Sequence, residues 1–355
     1  MKILRLTTLL DFGGQEKQYI SFTEKPELLQ HQYVFAAIGY GGHAERVLTE
    51  RGFEVRIMNQ NFSVKNLKNV YTLYRLIREV KPDIVHTAAA EANFHGIIAA
   101  KMAGVKTIVA EEIGIPNHSS AAQKIFRHVY RLADKVVCVS RSVKDYLVTI
   151  KEIPEAKGQV IYNPVSFPKK FPKTKTNNHF NMVYVGRLGK VKNVQMLIRA
   201  FSRLIKQDVR LTVVGNGSEL ENLKMLADEL QCADRVIFTG FVKEPSKFLA
   251  NADLFVLPSF SEGFGIAAVE AMLLKVPVLC SNVGGIPEFV HDGENGWLFS
   301  PTSEEELSDK LNHIVSCSED YLVEMGTKGY ASVADLFTVQ KYISNLERFY
   351  DDTAG

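Results

Sequence analysis

Short apolar, β-branched runs alternate with longer stretches of helical period along almost the whole chain. KILRLT (2–7), YVFAAI (33–38), EVRIM (54–58), DIVHT (83–87), TIVA (107–110) and KVVCVS (135–140) predict strands. Spans near 15–29, 43–51, 65–80, 92–103, 120–133 and 142–149 predict the helices between them. A second series follows: MVYVG (182–186), RLTVVG (210–215), RVIFTG (235–240), LFVLP (254–258), PVLCS (277–281) and GWLFS (296–300). Strands alternating with crossover helices build parallel sheets, so the fold class is α/β, with two doubly wound sheets rather than one very wide one. PVSFPKKFPKTKT (164–176) has three prolines, four lysines and no helical period, and reads as the connection between domains 1–165 and 166–335. A long surface loop inside one domain would look the same. Near the end, Val339, Tyr342, Ile343, Leu346 and Phe349 recur at helical spacing and predict an amphipathic last helix with no strand after it.

A chain of 355 residues has room for two such domains. With 46% apolar and 23% charged residues it is neither disordered, collagen-like nor a coiled coil. Cys138, Cys232, Cys280 and Cys317 form no CxxC pair and have no His at ligand spacing, so neither a zinc site nor a disulfide framework is expected, and reducing cytosol is the expected compartment. The first apolar stretch ends at Asp11 without a cleavage pattern, and Lys101, Lys106 and Glu111 interrupt the best candidate for a run of about 18 apolar residues. The expectation is a cytoplasmic chain, at most lying on the inner face of a membrane. Its net charge of +2 conceals a polarity: residues 1–165 carry 22 Lys and Arg against 16 Asp and Glu, a balance of +6, while residues 166–355 carry 20 against 24, a balance of −4.

Candidate chemistry is densest in SFSEGFGIAAVEAM (259–272), followed by GGIPE (284–288). The Gly263-Phe264-Gly265 turn after Glu262 places this carboxylate just before a helix start and Glu270 on that helix, both able to point toward the carboxyl edge of a parallel sheet. Free amides at the helix start suit phosphate oxygens, and the glutamates suit sugar and ribose hydroxyls. Equally, both glutamates suit a helix start and its solvated face. In VGRLGKVKN (185–193), Arg187 and Lys192 follow a strand, where a fork and a point charge fit a leaving diphosphate; an exposed pair of cations on a solvated loop is the plainer alternative. GNGSEL (215–220), beginning at Gly215, starts like a dinucleotide fingerprint, but Leu220 stands where the third glycine belongs. FGGQEKQ (12–18) opens a helix after the first strand, so that Gly13 and Gly14 permit either a close ligand or simply a tight turn.

GGQE, GRLGKVKN, VVGNGSELENLK, FTGFV, LPSFSEGFGIAAVEAM and VGGIPEFVHDGENGWLF occur in this order over nearly the whole chain. Together they resemble the retaining GT-B glycosyltransferases of family 4. The resemblance implies two Rossmann-like domains facing across a cleft, an N-terminal acceptor domain, a C-terminal nucleotide-sugar domain, and a last helix (about 336–355) returning to the first domain. It implies that Arg187 and Lys192 hold the donor diphosphate, Glu270 the ribose, and Glu262 the donor sugar beside the amides of Phe264, Gly265 and Ile266. Glu262, Arg187 and Lys192 would be the catalytic set. Gly13 and Gly14 would approach the diphosphate, Gly215 and Gly263 would belong to the donor-binding set, and the backbone at Phe241 and Val242 would meet the base. Retention would proceed by front-face attack without a protein nucleophile, a metal or a cofactor, in keeping with a sequence that has no Asp-x-Asp. Where many members place a His after the strand TIVA, this chain has Glu111-Glu112; these carboxylates would either meet acceptor or donor sugar or point at solvent. His86 fits the family pattern at a strand end, where a structural role is the alternative, and His118 is a further candidate on the sugar side.

Segment 120–135, SAAQKIFRHVYRLADK, sets Lys124, Arg127, His128, Arg131 and Lys135 among apolar positions; it suits an anionic membrane or an ordinary crossover helix equally. No aromatic-interleaved basic groove suggests nucleic acid. The expected function is transfer of a hexose or N-acetylhexosamine from a nucleotide diphosphate, UDP first, to a glycan or lipid-linked glycan in cell-surface polysaccharide biosynthesis. The alternatives are a GT-B epimerase or phosphorylase-type enzyme, and a nicotinamide-dependent oxidoreductase based on GNGSEL.

Overall fold

Runs of Val, Ile and Leu without polar alternation can form strands only where helices cover both faces of the sheet, and the chain builds two such sheets. The computed structural model describes residues 1–169, 171–172 and 179–355. Residues 170 and 173–176 of the connection read from sequence lie outside the described residues. Contacts divide the chain into two units, Met1–Val165 with Phe337–Gly355, and Ser166–Leu336.

In the first unit, β1 (Lys2–Thr7), β2 (Gln32–Ala37), β3 (Glu54–Ile57), β4 (Ile84–Ala88), β5 (Thr107–Glu112), β6 (Lys135–Cys138) and β7 (Gly158–Val160) form one sheet in the order β3-β2-β1-β4-β5-β6-β7. Every pairing is parallel. The strand order reverses between β1 and β4, where a crevice opens outside the carboxyl ends. Two features differ from the sequence expectation. The short strand β7 has too few residues to show a period, and β5 runs two residues beyond TIVA, taking Glu111 and Glu112 into the sheet.

The second unit repeats this plan with β8 (Phe180–Val185), β9 (Val209–Val214), β10 (Val236–Gly240), β11 (Leu254–Leu257), β12 (Val278–Ser281) and β13 (Trp297–Phe299), ordered β10-β9-β8-β11-β12-β13 and again all parallel. Its reversal lies between β8 and β11.

Hydroxyl caps set several helix starts: the side chains of Ser140, Ser303, Ser318 and Thr338 each accept from an amide three residues on. Thr338 opens the last helix, Val339–Ala354, whose Val339, Tyr342, Ile343, Leu346 and Phe349 enter the core of the first unit with Ile3, Tyr19, Phe22, Tyr33 and Phe35. Tyr33 Oη donates to Glu347 of the same helix, a buried carboxylate that also accepts from the Gln30 amide. The inner face of the last helix is therefore part of the first unit's interior. Truncating the fully buried Leu346 to Ala is expected to cost about 2–5 kcal/mol, as a transfer loss plus a cavity. A urea-unfolding midpoint equal to wild type would contradict this placement.

Candidate functional site

In the second unit the candidate positions follow the carboxyl ends of strands. β8 runs into Gly186 and Arg187, β9 into Gly215, β10 into Phe241 and Val242, and β11 into the segment carrying Glu262. The turn after β8 is built tightly. Tyr184, buried under it, donates its hydroxyl to the Arg187 carbonyl at 3.1 Å. Burial and the charge of Glu262 push its phenol above the ordinary range, so it remains a neutral donor. A single 3-10 turn, Lys190–Lys192, ends at Asn193, whose φ of 53° releases the chain into the helix Val194–Ser202. Gly215, at φ +149°, has its backbone so close to Gly186 that a Cβ would sit 1.8 Å from the Gly186 carbonyl oxygen. The GNG string is thus accounted for by close backbone approach inside the unit.

The two loops that flank the reversal are joined. The Phe260 amide donates to the Val191 carbonyl at 2.8 Å, and Lys192 Nζ lies 2.6 Å from Glu262 Oε2, both side chains only partly buried. Glu262 is supported from behind by GGIPE: the Gly285 amide reaches its carbonyl at 3.3 Å, and a Cβ on Gly284, at φ +54°, would fall 1.6 Å from that oxygen. Gly265, at φ +102°, precedes the helix Ile266–Leu273, which carries Glu270 on its second turn. Phe264 turns its ring inward onto Phe289, centroids 5.7 Å apart, which leaves backbone rather than side chain at the helix start. Gly263 and Ile266 are partly exposed there, and Phe241 and Arg187 are exposed.

In the first unit Gly13 and Gly14 follow β1 and open the helix Gly14–Phe22. A Cβ at Gly14 would meet nothing within 4 Å, so protein packing does not explain the glycine. The strand-end acids require a correction: neither points at solvent, and neither is free for a sugar. Successive strand residues face opposite sides of a sheet, and each glutamate is buried in its own polar cluster. Glu111 accepts from Arg5 Nη2 at 2.8 Å and from Gln18 at 2.6 Å, with His86 Nε2 3.2 Å away. Tyr350, on the last helix, accepts from Arg5 Nη1 at 3.0 Å and bonds His86 Nδ1 at 2.6 Å. Burial opposes ionisation of Glu111, but the Arg5 guanidinium and its neighbours outweigh it and bring the carboxyl from 4.5 down to about 2. Burial and the Arg5 charge lower His86 to about 4, so it is neutral and structural.

Glu112 faces the other side. It accepts from Tyr130 Oη and, at 3.1 Å, from Asn93, while burial pushes its carboxyl from 4.5 up to about 7. His118 stacks on Phe126 with centroids 4.2 Å apart and pairs through Nδ1 with the buried Glu152 at 2.7 Å; burial opposes its protonation, but Glu152 outweighs this and raises it. Segment 120–135 is a packed helix that leaves Lys124, Ile125, His128, Arg131 and Leu132 exposed. Phe126, Val129 and Tyr130 of the helix Ser120–Leu132 point into the unit, and Arg127 is bonded to the carbonyls of Ile150 and Lys151. Sequence reasoning missed Arg5, Gln18, Tyr184 and Tyr350. Only Arg5 carried a signal, a lone charge inside an apolar strand. The four cysteines are unpaired, and among the described residues no cluster suits a metal and no helix is long and apolar enough to cross a membrane.

Removing one partner of the buried Arg5–Glu111 pair strands a charge, so Glu111→Gln is expected to lose about 3–5 kcal/mol of stability in urea unfolding. The lowered pKa of Glu111 contributes stability above pH 4.5 that disappears as the pH falls toward 2, and Glu111→Gln should flatten that acid limb. The raised pKa of Glu112 works in the opposite sense: its contribution is complete below pH 4.5 and lost as the pH rises through about 7. A Tm profile of Glu112→Gln should therefore fall less between pH 5 and 8 than wild type; an unchanged slope would contradict the burial of an ionisable group there.

Comparison with known proteins agrees with this architecture. "Glycosyltransferase Family 4" matches residues 12–167, and "Glycosyl transferases group 1" matches residues 166–331. The chain is 28% identical over 258 residues to N-acetyl-alpha-D-glucosaminyl L-malate synthase of Bacillus anthracis, covering 70% of this chain and 67% of that protein. It is 25% identical over 328 residues to the UDP-Gal:alpha-D-GlcNAc-diphosphoundecaprenol alpha-1,3-galactosyltransferase of Escherichia coli, covering 85% and 84%. The crystal structure of Anabaena HepE in complex with UDP and glucose superposes with a TM-score of 0.86 at 24% identity, covering 99% of this chain and all of that one, which establishes the fold as GT-B. Two parallel switch-point sheets and two consecutive family matches spanning residues 12–331 make this chain a member of the group 1, family 4 glycosyltransferases.

Proposed function

We propose that this glycosyltransferase moves a hexose or N-acetylhexosamine from a UDP-sugar to a glycan or lipid-linked glycan acceptor, with retention and without a metal, in cell-surface polysaccharide biosynthesis. The observation that carries the reading is the Lys192–Glu262 pair at the reversal of the second sheet, 2.6 Å apart and only partly buried. An ion pair in that setting contributes about 0–1 kcal/mol to stability, so folding alone gives little reason to hold a cation and a carboxylate there. A ligand carrying both phosphate and hydroxyls uses both groups. Arg187 and Lys192 take the diphosphate, Glu262 the sugar hydroxyls beside the backbone of Phe264, Gly265 and Ile266, Glu270 the ribose, and Phe241 and Val242 the base, with Gly215 and Gly263 shaping the loops. The unit carrying these groups is the donor domain, and residues 1–165 with the last helix form the acceptor domain.

In the reaction the bond between the anomeric carbon and the phosphate oxygen breaks, and its electron pair leaves with the diphosphate. The acceptor hydroxyl oxygen bonds to the same face of that carbon, and its proton passes to the departing phosphate oxygen. The cations stabilise charge as it develops on the leaving group. The diphosphoundecaprenol named for the Escherichia coli relative and the UDP bound to the Anabaena protein support the classes of acceptor and donor.

Arg187→Ala and Glu262→Ala should each lower turnover of a UDP-sugar by about 100-fold, on the scale of losing one oxyanion donor. Turnover equal to wild type in both variants would overturn the site, and sensitivity to a chelating agent would overturn metal independence. Gly14→Ala separates ligand from fold: with open space around a Cβ, stability should hold or rise by about 0.4–1 kcal/mol, while the apparent KM for donor increases. A loss of stability with unchanged KM would remove Gly14 from the donor site.

A further inference from the structure

We propose that loop 61–67 and the outer face of the helix Lys68–Val80 form a surface that docks on an anionic lipid bilayer. This goes beyond the donor-site reading and does not depend on it. Leu67 and Tyr71 are 64% and 62% exposed, and Val64 is exposed beside them. At about 100° per residue, Leu67, Lys68, Tyr71, Tyr74, Arg75 and Arg78 share one sector of roughly 120°, and the Tyr71 and Tyr74 rings stack with centroids 6.4 Å apart. A single exposed Leu carries no information. Here the apolar side chains are held outward by a built loop. Asn66 and Asn69 both donate to the Asn61 carbonyl, at 2.8 and 2.9 Å, the Ser63 amide donates to Asn61 Oδ1 at 3.0 Å, and the buried His95 donates from Nε2 to the Ser63 carbonyl at 3.1 Å. Ordering a loop to present Val64 and Leu67 to water makes physical sense where something else covers them.

Charge selects the occupant. Lys65, Lys68, Arg75 and Arg78 border the apolar strip, and the one acid on the helix, Glu79, lies to the side within 3.4 Å of Arg56. Tyrosines, aliphatic tips and a rim of lysines and arginines are the composition of a face that sits among anionic headgroups. The helix starts beyond the carboxyl end of β3, so loop 61–67 and the start of this strip lie toward the same edge of the sheet as Gly13 and Gly14. The helix Ser120–Leu132 buries Phe126, Val129 and Tyr130 and, of its large apolar side chains, exposes only Ile125 and Leu132, whereas Val64, Leu67 and Tyr71 give the loop and the helix Lys68–Val80 the larger exposed apolar strip of the two.

The test is co-sedimentation of the full chain with vesicles of pure phosphatidylcholine and with vesicles containing phosphatidylglycerol, at low and high salt. Binding is expected only to the anionic vesicles and is expected to be released by salt. Each cation near such a surface contributes about a fivefold change in partition, so Lys65→Glu with Lys68→Glu should weaken binding by about 25-fold or more. Leu67→Ser with Tyr71→Ser should also weaken it, and both variants should keep the wild-type Tm because these side chains are exposed. Lys124→Glu with Arg131→Glu, on the helix Ser120–Leu132, should leave binding intact. Equal binding to neutral vesicles, retention by the Lys65/Lys68 variant, loss only in the Lys124/Arg131 variant, or a change of oligomeric state in the Leu67/Tyr71 variant would each overturn the proposal, the last in favour of a second copy of the chain.

Discussion

A guanidinium with no access to water has to be neutralised where it stands, and Arg5 sits in the middle of β1, an interior strand of the first sheet. Desolvating such an ion costs several kcal/mol, which only close partners offset. Arg5 donates to one anion, Glu111, and to the Tyr350 phenol, and its guanidinium lies over the rings of Tyr19 and Phe22. Meeting that need draws β5 out by two residues, brings Gln18 down from the helix that follows the glycine turn, and holds the C-terminal helix against the sheet. The glycine turn, the strand end and the chain terminus of this unit are therefore coupled through one charge. Buried charge-assisted hydrogen bonds of this kind hold their surroundings in one arrangement, and Gln18 ties the cluster to the helix that opens at Gly14.

The second unit uses the same reversal of strand order with the opposite electrostatic economy. Lys192 and Glu262 face each other at ion-pair distance but keep part of their surface open. Around them the backbone is tightly specified: Gly215 against Gly186, Gly284 against Glu262, Tyr184 under the Arg187 carbonyl. Rigid loops that hold incompletely buried charges form a preorganised site, since little further ordering is needed when a ligand replaces water. The pair inside the first unit is sealed from water; the pair in the second keeps solvent contact.

The adjacent glutamates show where reading a sequence stops. Alternation in a strand says that Glu111 and Glu112 face opposite sides, but not that both sides are covered. The partners that decide this are remote: Arg5 is 106 positions from Glu111, and Tyr350 is 345 positions from Arg5. The same distance hid the purpose of Tyr184, whose role depends on a turn geometry, and of the GNG glycines, whose tightness depends on a neighbouring strand. His86 and His118, both plausible beside a sugar by position, prove to be bonded to Tyr350 and Glu152. Motifs on contiguous loops were legible because each loop follows its own strand. Clusters assembled from several strands and a distant helix were not.

Local patterning determined by itself that this chain is an alternating α/β protein with two series of strands, because apolar β-branched runs, helical periods and turn residues act over a few positions. Order and register of motifs further placed it among the family 4 glycosyltransferases. Only tertiary structure decided which charges are interior and which keep solvent contact, how the last helix completes the first unit, and which apolar side chains stay on the surface. Burial is a property of what packs on a residue rather than of the residue, so the same glutamate, histidine or amphipathic stripe reads as site or core until its neighbours are known.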